Sequence, residues 1–347
     1  MVKLKDIALE AGVTQTTVAY VLNGKAEKNH ISQKTCEKVR ALAAKLGYKS
    51  DDIARAMVKG KANTIGFIAA SQVWFEFVSA VLEGVMKRAE ERGFHVKLFP
   101  HFHYTNPEEI LATCRSQKLS GLLCYNLSPE TLEVLREGLA KDGTPLVSVS
   151  NGKVPHGCGL VMADDHHGGY LATKHLLDLG HVKMAVVAGE KRYSGQYTHD
   201  RVAGHEEALR EHGATIEPDW LVFSNDRAEI SSFLDRLAGT DGSPTAIFCM
   251  NDSAAICVMT YLFGKGFRLP EDFSLVGYGD LNAGSFLFPT LTTVSEPYGE
   301  IGGAGVDMIC NNLEGSALDG QTKVMDVWLS ARESSGPVNH RRRQWKP

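Results

Sequence analysis

The chain has 347 residues, 43% of them hydrophobic, with 37 Lys/Arg against 41 Asp/Glu, too long for one ordinary compact domain and suited to a small unit joined to larger ones. No run of about 18 apolar residues occurs, so no membrane-spanning helix is expected; the start, MVKLKDIALEAG, lacks the apolar core of a secretory leader, so the expected location is cytoplasmic. The charge is uneven: residues 1–62 carry 12 Lys/Arg against 6 Asp/Glu and the remainder 25 against 35, a basic head on an acidic body, the footprint of a nucleic-acid-binding head. The seven cysteines are scattered and never form CxxC, which suits reduced thiols better than a disulfide framework or a zinc site.

In chain order, LKDIALEA (4–11) places Leu4, Ile7, Ala8 and Ala11 at helical spacing and Gly12 turns the chain. Thr14 is a natural N-cap for QTTVAYVL (15–22), with Val18, Val21 and Leu22 on one face, and Asn23-Gly24 ends it. Ser32 caps a third helix whose inward positions are Val39, Leu42, Ala43 and Leu46 before Gly47. Three short helices, the first two joined by a tight turn, make a helix-turn-helix head over residues 1–48. Residues 49–62 form a join in which 51–59 spells two helical turns, too short to be stable alone.

From Thr64 the texture changes. Short apolar runs at 65–70, 96–100, 121–125, 145–150, 184–189, 246–250 and 273–279 read as buried parallel strands, and amphipathic helices are expected at 77–92, 129–141, 166–179, 200–212 and 253–265. This alternation predicts an α/β core of two doubly wound units, with a switch near Ala163.

The segments KDIALEAGVTQTTVAYVLNGK (5–25), ISQKTCEKVRALAAKLGY (31–48), IARAMVKGKANTIGFI (53–68), GGYLATKHLLDLGH (168–181), RVAGHEEAL (201–209), NDSAA (251–255), LPEDFSLVGYGD (269–280) and PTLTTV (289–294) are similar, in the right order, to the lac repressor (LacI–GalR) family. The resemblance implies two Rossmann-like, periplasmic-binding-protein-like subdomains in an effector-binding core at 63–340. One subdomain would hold about 63–163 and 290–325, the other about 164–289 and 326–340, with 341–347 a basic tail. It also implies a regulator, a repressor in this family's usual sense, that binds a palindromic operator in double-stranded DNA as a homodimer and responds to a small molecule.

A helix in the major groove presents its N-terminal side chains to base edges, here Thr14, Gln15, Thr16 and, a turn on, Tyr20. Gln15 pairs geometrically with adenine and a Thr methyl with thymine. The family often has Arg where Tyr20 stands, so Tyr20 either reads a different operator core or covers the head's own core. Lys5, Asn23, His30 and Lys34 are candidates for DNA-backbone contacts. By resemblance 52–59 is a minor-groove hinge helix containing Ala54, with Met57 as its wedge, or packed in a dimer seam, and Arg55 and Lys59 near phosphates.

Ligands of doubly wound sheets collect at the carboxyl ends of strands, which nominates Ser71, Tyr125, Ser150, Asn251 and Asp252. Trp74, Phe75 and Phe77 would stack on a ring or fill ordinary core, and Arg201 matches the family's effector-contacting arginine. Ser150 and Gly279 stand where the family often has Asp, and Arg227 where an aromatic is usual. The expected effector is thus a sugar or sugar derivative, with a sugar acid or phosphorylated sugar favoured over a neutral polyol. His101-Phe102-His103 and Asp164-Asp165-His166-His167 lack a second metal-ligand pair, and no GxGxxG, GxxxxGK[ST] or GxSxG occurs, so no metal, cofactor or enzyme activity is expected. The alternative is a solute-binding protein without DNA regulation. The sequence leaves open whether the effector releases or promotes DNA binding, and RRRQWKP shows no leucine heptad for a tetramerising coiled coil.

Overall fold

A computed structural model describes residues 2–22, 26–47, 62–69, 76–99, 106–149, 152–189, 196–238 and 242–339. Asn23, the hinge positions Ala54, Arg55, Met57 and Lys59, then Ser71, Trp74, Phe75, His101, His103, Ser150 and the 341–347 tail lie outside the described residues. The chain divides into two compact units, Met1–Ala62 and Asn63–Pro347.

In the first unit, α1 (Leu4–Ala11), α2 (Gln15–Leu22) and α3 (Gln33–Lys45) surround a small core of Ile7, Ala8, Ala11, Val18, Val21, Ala26, Cys36, Val39 and Ala43. Gly12 takes the left-handed conformation (φ 69°) that ends α1, as a residue without Cβ does at little cost. The Thr14 hydroxyl accepts the Thr17 amide at 3.1 Å and the Ser32 hydroxyl that of Thr35 at 3.2 Å. Each cap satisfies an amide the helix itself cannot pair.

The second unit holds two six-stranded sheets. The first contains β1 (Thr64–Ala69), β2 (His95–Phe99), β3 (Gly121–Tyr125), β4 (Leu146–Val149), β5 (Gly159–Ala163) and β11 (Thr322–Met325), in the order β2-β1-β3-β4-β5-β11 and parallel throughout. The second contains β6 (Met184–Ala188), β7 (Leu221–Phe223), β8 (Ala246–Cys249), β9 (Ser274–Tyr278), β10 (Thr292–Ser295) and β12 (Trp328–Ser330), ordered β7-β6-β8-β9-β10-β12, with only the β10–β12 pair antiparallel among the described strands. The helices are α4 (Glu76–Glu91), α5 (Pro107–Ser116), α6 (Pro129–Ala140), α7 (Asp165–Asp178), α8 (Gln196–Glu211), α9 (Arg227–Ala238), α10 (Asp252–Gly264), α11 (Asn282–Ser285) and α12 (Tyr298–Leu313). The chain leaves the first sheet after Ala163 and returns later than the resemblance implied. Segment 290–295 is not part of the first subdomain: β10 pairs with β9 and β12 in the second sheet. The crossing comes at Glu296-Pro297, where proline ends the strand and α12 begins.

Alpha12 packs on α4 because glycine lets the two backbones approach. A Cβ on Gly84 would lie 1.9 Å from the Gly299 carbonyl oxygen, and one on Gly302 would lie 2.2 Å from that of Val81. The same device joins α7 to α8, where a Cβ on Gly204 would lie 1.9 Å from the His166 oxygen. Each sheet has thereby one tightly fitted helix pair over it, and the contact is too close for any side chain at those positions.

Candidate functional site

On the head, α2 turns Val18 and Val21 into the core and leaves Gln15 and Thr16 exposed. Tyr20 is 36% exposed and outside the head's apolar cluster, which favours the reading in which its ring meets a partner over the one in which it covers the core. Thr14 is exposed, but its hydroxyl is held by Thr17 as the helix cap. Lys5, His30 and Lys34 are exposed, His30 in a left-handed turn (φ 53°) and Lys34 in the first turn of α3. The head thus offers polar, uncommitted side chains at the start of α2 and cations on α1 and α3.

In the second unit both sheets run 2-1-3-4-5 from β2 and β7, so each reverses direction of winding beside its first strand. The carboxyl ends there form the crevice where α/β sheets take ligands. Tyr125 ends β3, buried, with the Phe77 ring 6.2 Å away and tilted by 34°. Asn251 follows β8; its side-chain oxygen caps α10 through the Ala254 amide at 2.8 Å, and its NH2 donates to Asn225 Oδ1 at 3.1 Å. The two sheets' crevices face one another: Glu76 Oε1, at the start of α4, accepts the Asn282 amide of α11 at 2.6 Å.

Arg201 is the centre of the site. It is 6% exposed and all of its edges are engaged. Nε donates to Asp165 Oδ1 at 2.7 Å, Nη1 to the Met250 carbonyl at 2.7 Å and Nη2 to Glu296 Oε2 at 3.2 Å. The Tyr278 ring lies 3.5 Å from the guanidinium carbon and that of Tyr197 5.1 Å. The Tyr278 hydroxyl donates to Asp165 at 3.2 Å and the Tyr298 hydroxyl to Glu296 Oε2 at 2.7 Å. Asp165 stands at the first crossing between the subdomains and Glu296 at the second, so one guanidinium ties two of the three crossings, the third lying between β11 and β12. Burial pushes Asp165 up to about 7 although Arg201 draws it down. Burial alone would lower Arg201, but its carboxylate neighbours hold it charged.

Asp252 is fully buried at the start of α10, accepting the Thr293 hydroxyl at 2.7 Å and the Leu281 amide at 2.8 Å, and burial raises it to about 6. Gly279, at φ +123°, is where a Cβ would lie 3.1 Å from the Tyr298 hydroxyl, so its missing carboxylate leaves a close backbone approach. Next to it Asp280 accepts from Arg332 Nη2 at 2.5 Å and from Ser295 at 2.6 Å. Arg227 is exposed where α9 begins beyond the edge strand β7. The expectation of a crevice short of carboxylates is therefore corrected: beside the nominated Asp252, Asp165 and Glu296 stand in it, supplied from positions that the sequence reading does not nominate. Asp165 sat in a run set aside as a failed metal motif. Glu296 and Tyr298 follow β10, whose Thr292-Thr293-Val294-Ser295 is a half-polar strand rather than an apolar run; the rule that strand ends line the crevice would have found them once β10 was recognised.

Two family models match the chain, "Bacterial regulatory proteins, lacI family" over residues 3–51 and "Periplasmic binding protein-like domain" over 173–335. Among similar proteins, an HTH-type transcriptional repressor PurR of Haemophilus influenzae is 30% identical over 321 residues, 90% of this chain and 91% of its own length. One of Vibrio vulnificus is 28% identical over 344 residues, 98% of this chain and all of its own. Among solved structures, a complex of the transcriptional regulator CelR with cellobiose superposes with a TM-score of 0.70 at 25% identity, covering 96% of this chain and all of that one. The lac repressor dimer bound to operator and the anti-inducer ONPF gives 0.76 at 24%, covering 96% and 99%. With the helix-turn-helix head, the two crossed sheets and these likenesses together, the chain belongs to the lacI family of bacterial regulatory proteins and is a DNA-binding transcription regulator.

Proposed function

We propose that this chain is a ligand-responsive repressor that binds a near-palindromic operator as a homodimer, with a sugar or sugar derivative seated between its two core subdomains changing its grip on DNA. One observation carries the reading: a helix with exposed Gln15, Thr16 and Tyr20 shares a chain with facing sheet ends that converge on Arg201. Gln15, Thr16 and Tyr20 read bases, with Thr14 setting the helix start, and Lys5, His30 and Lys34 orient the head on phosphates. Asn23, Ala54, Arg55, Met57 and Lys59 are assigned to DNA binding with them. In the core, Phe77 and Tyr125 stack on the effector ring and Asn251 hydrogen-bonds it above an Arg201 floor, while Asp252, buried behind them, holds Thr293 and the Leu281 amide in place. Ser71, Trp74, Phe75 and Ser150 are assigned to effector binding as well, Gly279 admits the ligand close to the backbone, and Arg227 takes part from the start of α9.

The dimer reading has its own support. Phe286 and Phe288, on the β9–β10 connection, are 85% and 89% exposed, and large side chains so placed suit a face covered by a second copy. The chain acts by binding rather than catalysis, in the cytoplasm with its DNA, and calls on no cofactor or membrane. The CelR–cellobiose complex supports a sugar-class effector for this chain. Selection of random DNA fragments by the purified protein, with and without a panel of sugars, tests all of this. Enrichment of an inverted-repeat sequence whose binding shifts with one sugar is expected; sugar binding without any DNA selected would instead make the chain a solute-binding protein.

A further inference from the structure

Two donors in the crevice converge on one point. Arg201 Nη2, at 3.2 Å, and the Tyr298 hydroxyl, at 2.7 Å, both donate to Glu296 Oε2. Asp165 Oδ1 lies 2.7 Å from both Nε and Nη2, so Nη2 is shared between the two carboxylates; the Met250 carbonyl closes Nη1 and Tyr278 covers a face. The side chains of Arg201 and Glu296 are only 8% and 7% exposed, so the arrangement is shielded from water and each charge-assisted bond is strong. A guanidinium and a phenol aimed at a shared oxygen is the geometry that receives a carboxylate or phosphate from outside. Here the oxygen belongs to the chain, delivered by the second crossing as it leaves β10. Asp165 already balances Arg201, so Glu296 is a second anion on one cation, and a further anion from a ligand would meet two carboxylates and no free donor edge.

We propose that Glu296 fills, as an internal anion, an oxyanion receptor formed by Arg201 and Tyr298, and that it thereby excludes carboxylate- and phosphate-bearing effectors from the cleft. The proposal rests on the effector reading above and narrows it to ligands that face Arg201 with uncharged groups. Glu296 is a specificity-determining residue: like-charge exclusion is how a site rejects the wrong ligand class when attractive contacts alone would admit it.

Chemical rescue tests it. Glu296→Ala leaves both donors facing a hole the size of a small carboxylate. Thermal unfolding of the full chain is followed with added formate, against chloride at equal ionic strength. The variant should melt below the wild type and recover saturably with formate, while the wild type responds to formate as it does to chloride and gains nothing from glucuronate, galacturonate or glucose 6-phosphate. No recovery beyond chloride, or saturable stabilisation of the wild type by any of these anions, overturns the proposal. Should Glu296→Ala fail to fold, Glu296→Gln removes the charge and keeps the volume. Inorganic phosphate should then stabilise that variant and not the wild type, and equal responses overturn the proposal in the same way. DNA selection on the wild type, run in parallel, reports on the regulator reading separately, because the anion experiments need no DNA.

Discussion

His205 is buried without a full set of partners, and its effect can be read as a pH dependence. On α8 it packs at 0% exposure with its ring centre 5.9 Å from that of Phe248. The Thr173 hydroxyl donates to the Gly169 carbonyl at 2.8 Å, so its oxygen is left to accept from His205 Nδ1 at 2.7 Å. The neutral ring therefore carries its proton on Nδ1, and Nε2 is a buried lone pair with no partner among the described residues. Burial lowers the group from 6.5 to about 4. A depressed histidine means that the unfolded chain takes up the proton first: the contribution to stability is fully present above 6.5 and is lost as pH falls toward 4. That gap is worth about 2 kcal/mol by pH 5 and about 3 kcal/mol at its limit.

The wild-type curve alone would hide this. Asp165 and Asp252 are raised to about 7 and about 6, so their contribution is present at low pH and lost as pH rises through those values, opposite in sign to that of His205. His205→Phe fills the same space, removes the orphan acceptor and leaves both carboxylates in place. Urea unfolding of both proteins at pH 7.5 and 5.0 should show the variant gaining about 2 kcal/mol on the wild type between the two. A stability difference that does not change with pH would refute a neutral, buried His205.

Three further outcomes are expected. Gly302→Ala pushes a methyl to 2.2 Å from the Val81 carbonyl and should cost about 1–3 kcal/mol or more. Gly264→Ala, at the end of α10 with nothing within 4 Å, should gain up to about 1 kcal/mol; calorimetric melting compares them, and equal effects would refute the close-approach argument. Arg201→Met strands two buried carboxylates and should lose about 3–5 kcal/mol at pH 8, with part recovered near pH 6 as Asp165 takes a proton, measured by thermal unfolding at each pH. On selected DNA, Lys34→Ala should reduce the slope of log affinity against log salt by about 1 with base preference unchanged, whereas Gln15→Ala should relax preference at one base position for about 1–3 kcal/mol; fluorescence anisotropy over a salt series separates them.

Much of the architecture is legible in the sequence because it is written in apolar periodicity. The runs ending in Ala69, Tyr125, Val149, Ala188, Cys249 and Tyr278 are strands buried on both faces, and such strands are the easiest to read. Beta7, β11 and β12 are short edge strands, half-buried in β7 and partly exposed in β11 and β12, and carry no such run. Alpha12 is obscured for another reason: its glycines at 299, 302, 303 and 305 read as helix breakers, whereas three-dimensional packing sets the first three against α4 and Gly305 against Leu123 of β3 and Val149 of β4. The return of the chain to the first sheet is not periodic at all, and only the family resemblance implied it.

Charge is the least legible layer, and Asp164-Asp165-His166-His167 shows why. As a string it is four potential metal ligands; on a helix each residue turns about 100° from the last. Asp164 caps α7 by accepting the His167 amide at 2.9 Å. Asp165 points inward to Arg201. His166 faces Glu207 of α8 at 3.2 Å, and His167 stacks on Tyr170 with ring centres 6.2 Å apart and 11° between planes. Four adjacent polar residues thus enter four separate environments. The same reasoning applies to Arg201, which as a string is a cation ready for an anionic ligand. Only the fold brings Asp165 from one crossing and Glu296 from another to meet it, reversing the charge that the crevice offers. A sequence supplies the inventory of charges; the sign of a buried site depends on which of them the crossings bring together.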